Sequence, residues 1–236
     1  MSIVGAIESS LMALFPCRCA GCARLLMRRP PLGLCPACTE VLEPNLGSRC
    51  LRCDLPSGEP LCLDCAADPK AFDRLRAPFL YGGPIVELVH RMKFSAREDL
   101  AAAVGEALAK DLSARALAVG AQAITAVPLG HRRRFIRGYN QSAIIARQLA
   151  KSWELPYRVT LKRVRNTQAQ SELGLAARRQ NVRAAFVATG PVCGRILLVD
   201  DVVTSGETLS AAAYALRQAG ASEVFALALA RAPRPE

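Results

Sequence analysis

The chain has 236 residues, 51% of them apolar, and a formal net charge of +11. That length suits one α/β domain with a sizeable core and a small appendage, and no run of about 18 uncharged apolar residues is present to cross a membrane. The charge is uneven: residues 1–70 hold seven basic and seven acidic side chains, whereas residues 131–183 hold thirteen basic ones against Glu154 and Glu172, a patch that draws polyanions such as pyrophosphate or nucleic acid.

Met1–Phe15 lacks a basic leader and carries Glu8 in its apolar stretch, unlike a signal peptide. Its Ile3, Ile7, Leu11 and Leu14 fall on one helical face, suited to packing on the next module. A cytoplasmic protein without membrane insertion is expected. Nine of the ten cysteines precede residue 66, eight of them as C-x2-C pairs: Cys19/Cys22, Cys35/Cys38, Cys50/Cys53 and Cys62/Cys65. Each such turn offers two thiolates to one metal, and two turns complete a tetrahedron. Pairing in order gives one site from Cys19, Cys22, Cys35 and Cys38 and another from Cys50, Cys53, Cys62 and Cys65. All positions being filled, the expected metal is structural Zn2+, one ion or two. Iron–sulfur ligation is the other metal option, and a disulfide framework the alternative in an oxidising compartment. A four-thiolate zinc site carries a formal charge of about −2, so this module's own charge does not favour DNA. Cys17 reads as a spare thiol and Cys193 as a turn residue.

Residues 66–78, with Asp68-Pro69 and Pro78, read as a linker, dividing the chain into residues 1–68 and 69–236. A strand at Phe79–Tyr81, a turn at Gly82-Gly83-Pro84, a helix over Ile85–Phe94 and an alanine-rich helix over Leu100–Leu117 follow. His90 reads as a surface histidine. Ala123–Val127 is a buried strand, then an arginine-rich loop runs to Gln141, and Ser142–Lys151 is a helix with Ile144, Ile145 and Leu149 on its apolar face. Arginines at the carboxyl edge of a sheet can hold a pyrophosphate bidentately, and Arg132, Arg133 and Arg137 are the candidates. A solvated basic turn is the plainer alternative. Leu161–Phe186 carries Arg163, Arg165, Thr167, Gln170, Arg178, Asn181 and Arg183. It suits a basic loop, mobile around Gln168–Ser171, that closes over a substrate and excludes water. Single-stranded nucleic acid is the competing ligand, although aromatics near for stacking are few, Trp153, Tyr139 and Tyr157 among them.

In Arg195–Gly206, the run Ile196–Val199 is wholly apolar, as in a parallel strand covered on both faces. It ends in Asp200 and Asp201, and Thr204-Ser205-Gly206 leads into a helix over Glu207–Gly220 and a strand over Val224–Ala230. A helix N-terminus suits a phosphate, small hydroxyl residues and glycine let it approach, and two acids can accept from vicinal hydroxyls. Phosphate at one end and diol at the other describe a ribose 5-phosphate. The alternative for Thr204-x-x-Glu207 is a capping box. A carboxylate at Glu207 would be unfavourable beside a phosphate unless it points to water.

The residues I-L-L-V-D-D-V-V-T-S-G-E-T resemble the phosphoribosyl pyrophosphate (PRPP) signature of type I phosphoribosyltransferases. That resemblance implies Asp200 and Asp201 on the ribose hydroxyls, as the catalytic pair, and Thr204, Ser205, Gly206 and Thr208 around the 5-phosphate. The order of the paired cysteine turns, Tyr81-x-Gly83-Pro84 with Lys93, Val127-Pro128-Leu129, Arg132-Arg133, Arg137-Gly138-Tyr139-Asn140-Gln141, Gln170, Arg178-x-x-Asn181-Val182 and the PRPP signature is similar to the ComF (competence protein F) family. A departure is Gly130, where the family pattern leads one to expect a histidine. The resemblance implies an α/β fold: a type I phosphoribosyltransferase-like domain with a mostly parallel sheet, preceded by an N-terminal helix and a double zinc ribbon. It implies Mg2+ bound with PRPP and a role in natural competence and uptake of single-stranded DNA. Implied partners are PRPP, single-stranded DNA, and a competence helicase or recombination proteins. Two readings stay open: a phosphoribosyltransferase of unknown acceptor, and a non-catalytic PRPP- or nucleic-acid-binding adaptor in DNA uptake or recombination.

Overall fold

The computed structural model describes residues 17–164 and 185–234. The expected N-terminal helix, and the part of the basic loop that holds Arg165, Thr167, Gln170, Arg178, Asn181 and Arg183, lie outside the described residues. The cysteine-rich part holds an antiparallel pair, β1 (Cys17–Arg18) and β2 (Leu25–Leu26), and the short helices α1 (Pro36–Glu40) and α2 (Leu63–Ala67). There follow β3 (Arg74–Arg76), β4 (Phe79–Leu80), α3 (Gly83–Phe94), α4 (Glu98–Lys110), α5 (Leu112–Ala118), β5 (Ala121–Ala126), α6 (His131–Arg137) and α7 (Gln141–Trp153). The remainder is β6 (Leu161–Arg163), β7 (Phe186–Ala188), β8 (Gly194–Val199), β9 (Val202–Val203), α8 (Glu207–Gln218), β10 (Ala221–Leu227) and β11 (Ala230–Arg231).

Strand β8 has no polar residue from Ile196 to Val199 because both of its faces are covered. It lies inside a four-stranded sheet of order β3-β10-β8-β5, every pairing parallel. Alternation along the strand sends Leu197 and Val199 to one apolar cluster with α3, α4, α5 and α7, and Ile196 and Leu198 to another with α8. Strands β3, β10 and β8 each break and resume within a few residues as β4, β11 and β9, a smaller parallel sheet in the same order. The break in β8 falls at Asp200 and Asp201. The α/β class and the mostly parallel sheet expected from the pattern are present.

Three segments differ from their sequence reading. The linker contains β3, an edge strand registered so that Arg74 faces Phe225 and Arg76 faces Leu227. Its R-L-R pattern offers one apolar side chain, too little to read as a strand, and Asp73 anchors it by accepting from Arg217 at 2.5 Å and from the Val224 N–H at 2.8 Å. The long alanine-rich helix is two helices, because the Asp111 carboxylate accepts from the Ala114 N–H at 2.8 Å and starts a second one. The arginine-rich loop is helical over His131–Arg137, and Gly138 ends that helix at φ 76°.

The cysteine-rich part is packed into both cores. Cys19, Cys35, Cys38 and Leu34 join Leu100 and Val104 of α4 on one face of the sheet, while Cys50, Cys53, Cys62 and Cys65 join Phe72, Leu75 and Leu198 on the other. Close packing on the first face depends on Gly105: a Cβ there would stand 2.7 Å from Gln148 Cβ and 3.1 Å from the Ile145 carbonyl oxygen of α7. Gly105→Val is expected to push α4 off α7 and cost about 1–3 kcal/mol. A thermal melt reads this, and an unchanged midpoint would show that the two helices tolerate separation.

Candidate functional site

The eight paired cysteines form two groups, Cys19, Cys22, Cys35, Cys38 and Cys50, Cys53, Cys62, Cys65, with the sulfurs of each group within 4.8 Å of one another. Both groups share one local design. The first knuckle closes with Ala23 N–H to Cys19 O or Asp54 N–H to Cys50 O, each at 3.0 Å, and Ala23 and Asp54 have positive φ. Cys35 and Cys62 then stand at the N-termini of α1 and α2, which carry Cys38 and Cys65. Sulfur separations of 3.7 Å, Cys22 to Cys35 and Cys53 to Cys62, are close to the ~3.8 Å edge of a tetrahedral zinc with bonds of ~2.3 Å. Burial and the neighbouring Cys53 and Cys50 sulfurs push the Cys65 thiol up. These residues fit zinc, as the spacing predicts. Cys17 is in neither group; its Sγ donates to Leu26 O at 3.3 Å.

At the carboxyl end of β8, the Asp200 N–H donates to Leu227 O and Asp201 O accepts from the Leu229 N–H, so the backbone of the acidic pair is fixed by β10 and its continuation. The two side chains differ. Asp200 is partly exposed and its Oδ1 accepts from Ser142 Oγ and the Asp201 N–H, both at 2.9 Å. Asp201 is buried, with Oδ2 taken by Lys93 Nζ at 2.9 Å and Gln141 Nε2 at 3.1 Å, and Oδ1 by the Val202 N–H at 2.8 Å. Burial, and then the neighbouring Asp201 carboxylate, push Asp200 up to about 7.

The motif Arg137-Gly138-Tyr139-Asn140-Gln141 anchors α6 and α7 to this pair. Arg137 lies on the Phe94 ring at 5.3 Å, Tyr139 donates to Met92 O, and Asn140 donates to Val127 O at 3.0 Å while capping α7 at Ser142. Arg137 is pushed down by burial and held up by Asp201 and Asp200; Arg163, at the end of β6, is pushed down by burial and by Arg133 and held up by Asp200. Asp200, Asp201, Arg133, Arg137 and Arg163 therefore share one electrostatic neighbourhood. Arg132 is exposed on the same short helix, which also presents Phe135, 91% exposed, and Ile136.

The turn after the acids is shaped by Gly206, which has φ 77° and stands at the N-terminus of α8 with no side chain capping it. Thr204, Ser205 and Thr208 are exposed around that end. The capping-box alternative does not hold, because Thr204 lies two residues before the N-cap and Glu207 is the first helical residue. Glu207 does not simply point to water: its Oε1 accepts from Lys70 Nζ, a buried amine whose charge offsets the carboxylate beside the loop. Sequence reasoning missed Lys70, Gln141, Ser142 and Arg231 as members of this region. The one signal was Arg231, a lone cation closing an apolar run, which demands an internal partner.

With this geometry in place, comparisons with known proteins are informative. Residues 137–236 match the family model of the phosphoribosyl transferase domain. DNA utilization protein YhgH of Salmonella typhi is 34% identical over 209 residues, covering 84% of this chain and 90% of that protein. Competence protein F of Haemophilus influenzae is 30% identical over 232 residues, covering 94% of this chain and 100% of that protein. Among solved structures, glutamine PRPP amidotransferase from B. subtilis, complexed with ADP and GMP, aligns with a TM-score of 0.39 at 29% identity, over 58% of this chain and 26% of that one. Similarity to two named relatives over most of the chain, a matching phosphoribosyl transferase domain and two four-cysteine groups at ribbon spacing converge: the chain belongs to the competence protein F and YhgH family.

Proposed function

We propose that the carboxyl edge of the sheet binds Mg2+–PRPP, within a protein serving DNA utilization or uptake as the names of its relatives indicate. The observation that carries this is the uncapped N-terminus of α8, ringed by Thr204, Ser205 and Thr208 and joined through a two-residue strand to the acidic pair Asp200-Asp201. First-turn N–H groups and hydroxyls suit the 5-phosphate, and Asp200 is the acid placed for the ribose hydroxyls and the magnesium that accompanies the diphosphate. Asp201 supports it from behind, holding Lys93 and Gln141 at the strand end. Arg133, Arg137 and Arg163 would meet the diphosphate as it leaves, stabilising negative charge where it develops. Eight reduced cysteines as metal ligands fit a cytoplasmic location.

Calorimetry with Mg2+ tests the proposal. Binding is expected for the wild type and is expected to vanish when Asp200→Ala and Asp201→Ala are combined; an equal affinity in the double variant defeats it. Turnover is read separately, by PRPP consumption with nucleobases, amines and oligonucleotides as acceptors.

A second reading has its own support. Phe135, 91% exposed, shares α6 with Arg132, Arg133 and Arg137, and Arg137 lies on the ring of Phe94, 61% exposed, which gives single-stranded DNA aromatic surface beside cations. Affinity for an oligonucleotide that falls steeply with salt fits this reading, and a flat response removes it.

A further inference from the structure

Arg231 closes β11 and is 4% exposed. Its guanidinium reaches two places that the sequence separates by about 150 residues: Nη1 donates to Thr204 O in the turn before α8, and Nη2 to Cys53 Sγ of the second cysteine group at 3.8 Å. The backbone on both sides is held, with Tyr81 N–H donating to Arg231 O and Ala232 N–H to Val203 O, each at 2.8 Å. Among the described residues Nε has no hydrogen-bond partner, so the two Nη contacts are what fix this buried cation. Behind the turn lies a cavity of about 580 Å³ lined by Lys70, Thr204, Ser205, Glu207 and Arg231. Thr204 and Ser205 therefore border open space and are not wedged against a core.

We infer that Arg231 is a positioning residue that couples metal occupancy of the second cysteine group to the shape of the Thr204–Gly206 turn. A four-thiolate zinc site has a net negative charge, which a guanidinium on one ligand sulfur complements, and outer contacts of this kind orient what they touch. With Cys53 fixed by metal, the guanidinium is fixed, and Thr204 O is drawn toward it. The first cysteine group belongs to the apolar cluster on the other face of the sheet and makes no such contact among the described residues. This inference rests on the reading of that turn as the phosphate cradle only for its effect on PRPP, not for the coupling itself.

Full-length Arg231→Met, with two zinc ions per chain verified by metal analysis, separates these points. Amide exchange over residues 203–208 is expected to speed at least about tenfold, and Mg2+–PRPP affinity to fall about 10–100-fold, the range seen when outer contacts of a metal site are removed. By reciprocity, saturating PRPP should raise the equilibrium affinity for one zinc in the wild type, read by competition against a chelator, and for neither in the variant. Arg231→Lys, which can satisfy only one of the two acceptors, is read if the methionine variant does not fold, and should show the same faster exchange. Unchanged exchange in a folded, zinc-loaded variant overturns the coupling. Faster exchange together with no PRPP binding by the wild type leaves the coupling standing and removes the phosphate reading.

Discussion

Asp200→Asn is expected to lose Mg2+–PRPP affinity by roughly a hundredfold while melting no lower than the wild type at pH 8. The first half follows from exchanging a carboxylate for an amide at the group proposed to accept from two ribose hydroxyls: charge-assisted hydrogen bonds contribute about 1.5–3 kcal/mol each, so losing about 3 kcal/mol is a modest demand. The second half follows from linkage. Burial, with the Asp201 carboxylate beside it, raises Asp200 from 3.8 to about 7 in the fold, so its proton is held more tightly when folded than when unfolded. That contribution stabilises the protein below about pH 4 and is lost as pH rises through 7. Asparagine keeps the acceptor for Ser142 Oγ and the Asp201 N–H without the charge, so the variant's stability should vary less between pH 4 and 8. PRPP binding by the wild type should tighten across the same range as Asp200 ionises. Asp201→Asn should behave oppositely in stability, because it leaves Lys93 without its carboxylate. Calorimetry and melts at pH 5, 6.5 and 8 decide it; equal melting losses in the two variants would contradict the division of labour between these acids.

That division could not be read from the sequence, where Asp200 and Asp201 are adjacent and equivalent. What the sequence does carry is their place, because a doubly covered strand must be apolar throughout and the first acids mark its end. The metal groups were legible for a similar reason: cysteine spacing is local, and a C-x2-C turn brings its two sulfurs together whatever the rest of the chain does. Contacts across long sequence distances were not legible. Lys70 meets Glu207, Gln141 meets Asp201, and Arg231 meets both Thr204 and Cys53, and nothing in the local pattern of any of these residues names its partner. The edge strand Arg74–Arg76 was missed because its support comes from partners far along the chain, β10 and Asp73 on one side and Asp54 at Arg76 on the other. Helix α6 was missed because an arginine-rich stretch with no buried face gives no periodic signal.

Loss of metal from either cysteine group is expected to unfold the α/β sheet as well, and not merely to release an N-terminal appendage. The second group shares its apolar cluster with Leu198, Leu209 and Ala226, and the neighbouring Asp54 is buried between Arg76, at 3.0 Å, and the Ala77 N–H, at 2.7 Å. Those contacts fix β3, the edge strand of the sheet. The first group is matched on the opposite face by Leu34 and α4. Structural zinc contributes on the order of 10–16 kcal/mol of binding free energy, similar to the whole stability of about 5–15 kcal/mol of a typical domain. A sheet that uses two such sites as parts of its own cores has little left when one is removed. Cys38→Ser and Cys65→Ser should therefore each cost at least about 4 kcal/mol, seen as a lower midpoint of one cooperative transition in circular dichroism. Chelation of the wild type should remove helical signal from α4 and α8 as well as zinc. Zinc-free protein that keeps the wild-type melting transition for its helices would show the cysteine module to be separable, and would remove the physical basis for any signal passing from it to the turn at Thr204.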